Sequence, residues 1–287
     1  MRRWMQFILL CFFGLNNDGI AFADVKPCNG TRAIKKPWQF GEAVLFRANV
    51  LNVDADGAPT AYLVNGKGLS YTCDGVVALE NGIRITPDSH PKDWQQKCNQ
   101  AWQKAKESGD YSQLAIFGFE TDAQHIPRIQ RAGDPLPGEG YVSATSVTIP
   151  GTPEGTQRRY VDALRIPYIV LPPVFNAKYK VKAGAMAIVY RIKTEKYAFG
   201  VFADSGGLGE ASIKLHQDLG GKPIIKLKGI DRAKSRIDDP VLFIVFPQTI
   251  AAPQLDAQAW NTVIAEKGQT VLSGFGGAKQ LEACAKE

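Results

Sequence analysis

The 287-residue chain has only three histidines and five cysteines, and neither type falls into a spacing that builds a metal or nucleophile site. No H-E-x-x-H occurs, which removes helix-borne zinc hydrolysis. His90, His125 and His216 are scattered, with no Ser-His-Asp order and no G-x-S-x-G elbow, so protease and esterase chemistry finds no support. No cysteine pair has C-x-x-C or zinc-ligand spacing, which argues against metal and redox roles. Beyond the N-terminal segment, no apolar run approaches the roughly 20 residues a membrane-spanning helix needs. Repeats, low-complexity tracts and linker-like stretches are missing too, so one domain over 24–287 is expected. The basic stretch Lys222, Lys226, Lys228, Arg232, Lys234, Arg236 comes without a nucleic-acid-binding motif and reads as a solvated loop.

What is present begins with a targeting signature over residues 1–23. Arg2 and Arg3 precede the apolar run Met5–Leu15, and Ala21-Phe22-Ala23 supplies a small-x-small cleavage site. The expectation is export, with no membrane association after cleavage. Export favours paired cysteines. Four remain: Cys28, Cys73, Cys98 and Cys284. Three connectivities are open, and Cys73–Cys98 with Cys28–Cys284 is the expected one. The formal net charge of +6 draws such a protein toward anionic polymers.

Short strands dominate the pattern. Glu42–Val53 alternates toward a strand, and Ala61–Val64 is a short one before the Asn65-Gly66 turn. Val76–Leu79 and Ile83–Ile85 read as a hairpin around Glu80-Asn81-Gly82. Pro91–Ser108 places Trp94, Cys98, Ala101, Trp102 and Ala105 at helical spacing. Leu114–Phe119, Tyr141–Val147, Ile166–Leu171, Met186–Ile192, Tyr197–Ala203 and Val241–Phe246 are further strands, with Met186–Ile192 and Tyr197–Ala203 paired as a hairpin around Lys193-Thr194-Glu195-Lys196. Residues 210–219 and Gln254–Lys267 are expected helices, the latter buried through Leu255, Ala259, Val263 and Ile264. Tight turns rather than helical crossovers join neighbouring strands. The fold class is therefore mainly β or α+β, as a barrel with appended helices.

The most informative segment is Tyr197–Leu215. An apolar strand ends at Asp204, the loop Ser205-Gly206-Gly207-Leu208-Gly209 follows, and Glu210 opens the next apolar stretch. A glycine-rich bend of this length can turn two carboxylates into one cleft. Paired carboxylates, one protonated and one ionised, are the equipment for splitting a glycosidic bond, and an inverting enzyme spaces them widely enough to admit a water. The blander reading makes Asp204 a loop cap and Glu210 a helix-start residue. Asp54-Ala55-Asp56-Gly57 is similar to the opening of a calcium loop, but its twelfth position is Asn65, so a turn is the better reading. Asp162 sits where a polar stretch turns apolar, and reads as a turn residue. Tyr160 and Tyr168 are candidates to stack on sugar rings, although aromatic residues beside strands are usually core.

Four blocks, Asn52–Tyr62, Tyr160–Pro172, Phe199–Leu215 and Val241–Pro247, match in order a known pattern. In them the chain resembles the fungal-type chitosanases of glycoside hydrolase family 75 and their bacterial relatives, across roughly residues 42–248. The resemblance implies a six-stranded double-psi-like β-barrel. It also implies an endo-acting, inverting hydrolase of β-1,4-linked glucosamine polymers that needs no cofactor. It places the two essential carboxylates on Asp204 and Glu210, with Glu210 as general acid and Asp204 as the base that activates water. Chitosan is cationic, and the chain's positive charge would slow encounter unless the cleft is locally acidic; Asp54, Asp56 and Asp162 are the candidates to line it. Two alternatives stand beside this reading. One is a peptidoglycan glycan-strand hydrolase, favoured by the charge. The other is a non-catalytic module that binds a wall polysaccharide or a protein.

Overall fold

The computed structural model describes residues 25–287; the expected signal segment lies outside them. Among these residues, thirteen strands and five α-helices follow one another. The strands are β1 (Trp38–Phe40), β2 (Ala43–Ala48), β3 (Asn52–Asp54), β4 (Val76–Glu80), β5 (Ile83–Arg84), β6 (Leu114–Ile116), β7 (Tyr168–Val170), β8 (Ala185–Arg191), β9 (Lys196–Asp204), β10 (Glu210–Ser212), β11 (Ile224–Leu227), β12 (Ile230–Ala233) and β13 (Val241–Ile250). The helices are α1 (Trp94–Ser108), α2 (Pro173–Tyr179), α3 (Ile213–Asp218), α4 (Ala257–Phe275) and α5 (Gly277–Lys286).

Eight strands form one mixed sheet in the order β1-β2-β13-β8-β9-β7-β10-β3. Its central strands β2, β8 and β13 are near-continuous apolar runs because both of their faces are buried. Most pairings are antiparallel, but β7 runs parallel to β9 and β10 parallel to β3. The mainly β, α+β class holds. By strand pairing among the described residues the sheet does not close, with β1 and β3 at its edges. It curls strongly nonetheless. Asp54 on β3 and Asp204 on β9 are separated by β7 and β10 in the strand order, yet each offers a carboxylate oxygen within 4.8 Å of the other's.

The expected β8–β9 hairpin forms, and its turn is Ile192–Glu195, one residue earlier than its sequence pattern suggests. The β4–β5 hairpin turns at Asn81 and Gly82, both at positive φ, which is what a two-residue loop between right-twisted strands requires. Helix α1 starts at Trp94 and buries Cys98, Trp102 and Ala105. Four expectations change. Residues 61–64 form no strand, only an isolated bridge from Leu63 to Gly140. Residues 210–212 are a strand, with only Ile213–Asp218 helical, because Glu210–Ser212 finds partners on both sides in β3 and β7. Residues 141–147 form isolated bridges rather than a strand. Helix α4 starts later and runs further than expected, and it buries Trp260, Ile264, Gly268, Val271, Leu272 and Phe275. Leu255 precedes it and is exposed. Trp260, overlooked in the stripe, is fully buried and donates its indole N–H to the Ala251 carbonyl at 3.0 Å.

The chain ends are tied together. Cys28 bonds Cys284 and Cys73 bonds Cys98, the two expected pairs. Arg47, buried in β2, donates to the Ala285 and Cys284 carbonyls at 2.7 and 2.6 Å. Those are the unpaired acceptors of a helix C-terminus, where a cation is favoured. The Glu287 carboxylate accepts the Cys28 N–H at 2.8 Å.

Candidate functional site

Asp204 is the last residue of β9 and Glu210 the first of β10, with β7 between the two strands. The register pairs Val170 of β7 with Asp204, and Ile169 with Ala211. One step further along the antiparallel pair, Val170 faces Glu210. The two acids therefore flank Val170 at one level of the sheet. The five-residue loop does not hairpin β9 onto β10; it arches over the end of β7. Close approach is what its glycines permit. A side chain at Gly207 would put Cβ 2.9 Å from Glu210 Oε1, and one at Gly206 would meet Val170 Cγ1 at 2.8 Å.

Behind the acids the backbone is fixed. Ser212 accepts the Tyr168 N–H at 3.0 Å, donates to the Ile166 carbonyl at 2.9 Å, and accepts the Leu215 N–H at 3.2 Å as the cap of α3. The buried His216 ring sits 3.0 Å from both the Ser212 and the Leu51 carbonyls, tying α3 to the chain that enters β3.

A cavity of about 480 Å³ opens over this level of the sheet. Asp54, Asp56, Asp204 and Glu210 all line it, as do Asp74, Phe117 and Lys234. Asp54, Asp56 and Asp204 each offer one carboxylate oxygen to a cluster no wider than 4.8 Å, the one grouping among the described residues that could hold a metal ion. Asp204 is 7% exposed, and its Oδ1 accepts two backbone N–H groups, from Ser146 and Ser205, each at 2.7 Å. Asp54 accepts the Asp56 N–H at 2.8 Å, and Asp56 accepts the Tyr62 hydroxyl at 2.8 Å.

Burial is the main influence on all four acids. It raises Asp204 well above the ordinary carboxylate range, reinforced by the Asp54 charge and opposed by the two amide donors. Asp56 is raised well above that range by burial and then by Asp54 and Asp204. Asp54 is raised by burial, against hydrogen bonds from its neighbours. Close, desolvated acids of this kind share protons because they cannot all be charged. Glu210 is pushed up to about 7, first by burial and then by Asp54, with the Gly207 N–H and Lys35 pulling the other way. The cleft thus holds a carboxyl able to donate a proton near neutral pH beside a cluster able to accept one.

Four of the six predicted site residues meet here. Asp162 does not. It lines a separate cavity of about 310 Å³ with Asp134, Arg158 and Arg165, and its carboxylate accepts the Leu164 N–H at 2.9 Å in the manner of a local turn. Tyr168 does not line the cleft either. Its ring is fully buried on β7, a core strand, so no sugar can stack on it. Its hydroxyl instead donates to the Asp56 carbonyl at 2.9 Å, holding the aspartate turn from below. Tyr160 is buried as well and donates to Glu120 at 3.0 Å.

A family model described as fungal chitosanase of glycosyl hydrolase group 75 matches residues 69–278. The chain belongs to glycosyl hydrolase group 75. The match covers well over half of the sequence, including Asp204 and Glu210, and begins after the Asp54–Asp56 turn. As a group 75 protein the chain is a glycoside hydrolase of chitosanase type, and a polysaccharide is its substrate class. No curated protein matches it. Sequence reasoning missed Tyr62, Asp74, Phe117 and Lys234 in this group 75 cleft; the signal for Lys234 lay in a basic stretch read as solvated loop. Among the described residues no helix is long and apolar enough to cross a membrane.

Proposed function

We propose that this protein is an exported, endo-acting, inverting chitosanase that cleaves β-1,4-linked glucosamine polymers, with Glu210 as general acid and Asp204 as general base. The observation that carries the reading is the pair of acids flanking one intervening strand in a common cavity. Two strand spacings amount to about 9.5 Å of backbone separation. That backbone separation leaves room for a water between the two carboxyl groups, as inversion requires. Glu210, near 7, keeps its proton under mildly acidic conditions and can pass it to the departing sugar oxygen. Asp204 carries two amide donors that favour an anion and partly offset the rise that burial and Asp54 impose, which supports it as the member of the aspartate cluster that takes a proton from water.

Asp54 and Asp56 make the cleft acidic against a net charge of +6, which supports a cationic amino sugar over an anionic wall glycan. Two disulfides fit an oxidising compartment, in keeping with loss of residues 1–23 and action by 24–287 as one domain. The curl that brings β3 to β9, with parallel pairs set among antiparallel ones, supports kinship with a double-psi-like barrel. The test is reducing-end release from chitosan by wild type, Asp204→Asn and Glu210→Gln, with the anomeric form of the fresh product read by NMR. Inversion, with loss of about 10²-fold or more in each variant, is expected. No release from any amino-sugar polymer by the wild type would end the enzyme assignment, and a retained anomer would end the inverting one.

A further inference from the structure

One end of the acid cleft already holds an ammonium. Lys234 Nζ lies 3.2 Å from Asp74 Oδ2 and 5.0 Å from the centre of the Tyr71 ring. Both Asp74 and Lys234 line the cavity, and both side chains are partly open to solvent. Beside them Phe117 lines the same cavity and is 49% exposed, with the Arg84 guanidinium 6.0 Å from the centre of its ring. Backbone hydrogen bonds hold the residue next to Asp74. The N–H groups of Phe117 and Gly118 both donate to the Gly75 carbonyl at 2.9 Å, and Gly75 follows Asp74 directly. The two glycines meet so closely that a Cβ on Gly75 would lie 2.8 Å from Gly118 Cα and 2.7 Å from the Tyr62 hydroxyl. That hydroxyl is the one bonded to Asp56. A rigid chain of contacts thus joins the exposed ring to the aspartate cluster.

An aromatic face beside a carboxylate is the pair of groups that a glucosaminyl unit needs: the ring for the apolar face of the sugar, the carboxylate for its ammonium. We propose that Phe117 and Asp74 form a sugar-binding subsite at this end of the cleft, and that Lys234 is its resident placeholder, displaced from Asp74 when the substrate's ammonium arrives. Exchange of one ammonium for another keeps the Asp74 charge paired throughout, so the carboxylate is never left desolvated and alone. An N-acetylated unit brings no charge and cannot make the exchange, so the subsite reads deacetylation. The inference rests on the chitosanase reading above.

The experiment measures kcat and KM on highly deacetylated and on partly acetylated chitosan for wild type, Phe117→Ala, Phe117→Trp, Asp74→Asn and Lys234→Met. Phe117→Ala is expected to raise KM on the polymer about tenfold, a loss of about 1.4 kcal/mol, with kcat little changed and rescue by Phe117→Trp. Asp74→Asn should raise KM on the deacetylated polymer and narrow the preference over the acetylated one. Lys234→Met, which removes the competitor, should lower KM. Opposite signs for the two partners of one ion pair distinguish exchange from a structural bridge, whose loss would move both variants the same way. Equal signs, or a Phe117→Ala protein with the wild-type KM, overturn the proposal. The emission change of Phe117→Trp on titration with a glucosamine oligomer, read against the wild type in a Glu210→Gln background, reports binding without turnover. A saturable change supports the subsite even if the wild type proves unable to hydrolyse the polymer, and no change overturns it.

Discussion

Glu210→Gln should make the protein more stable at alkaline pH while removing its activity. Burial and the Asp54 charge push this carboxyl from 4.5 to about 7. The native state therefore keeps a proton that the unfolded chain has already released. Its contribution to stability is complete below about pH 4.5 and is lost as pH rises through about 7. At about 1.4 kcal/mol per pH unit the ceiling is about 3 kcal/mol, and the partial exposure of Glu210 to the cleft lowers the expected figure to about 1–2 kcal/mol. Glutamine has nearly the same shape, still accepts the Gly207 N–H, and carries no charge at any pH. Wild type and variant should therefore unfold at similar urea concentrations at pH 4.5, and the variant should resist urea better at pH 8. Urea unfolding at three pH values, with m-values compared to exclude a change in the unfolded state, reads the effect. A pH-independent difference, or a wild type that gains stability between pH 5 and 8, would refute the reasoning. It would mean that Glu210 is solvated or ion-paired and is not held as an acid.

Gly207→Ala places a methyl group 2.9 Å from Glu210 Oε1. The carboxyl group is the mobile partner, so kcat should fall about 10- to 100-fold through misplacement with the thermal midpoint almost unchanged; an unaltered kcat would show that the loop does not position Glu210. Gly268→Ala sets two effects against each other. Alanine gains up to about 1 kcal/mol of helix propensity, but its Cβ would lie 2.2 Å from the Phe199 ring, and overpacking costs about 1–3 kcal/mol. Packing should win, and calorimetry should show a lower midpoint. Removing the Cys28–Cys284 bridge by a double serine substitution frees a closure spanning 256 positions; a loss of about 2–5 kcal/mol is expected, read by denaturant titration with Cys73–Cys98 intact.

Local patterns in the chain were enough for the strand-rich class, the β8–β9 and β4–β5 hairpins, and helix α1; the cysteine spacing left three pairings open, and the structure forms the expected one. Alternation, turn residues and helical spacing act over a few neighbours, and those are visible in a linear string. The carboxylates Asp204 and Glu210 stood out for the same reason: they bracket one glycine-rich loop. Tertiary structure alone decided the rest. Whether Asp162 joins Asp54 and Asp56 depends on where the chain before β7 packs, and it packs against another cavity. Whether Tyr168 faces a sugar or the core depends on what packs on each side of β7. Glu210–Ser212 became a strand because β3 and β7 offered hydrogen bonds on both edges. The raised acid of Glu210, and the meeting of Lys234, Asp74 and Phe117, arise from desolvation and proximity between segments far apart in the chain, and no spacing along the sequence encodes either.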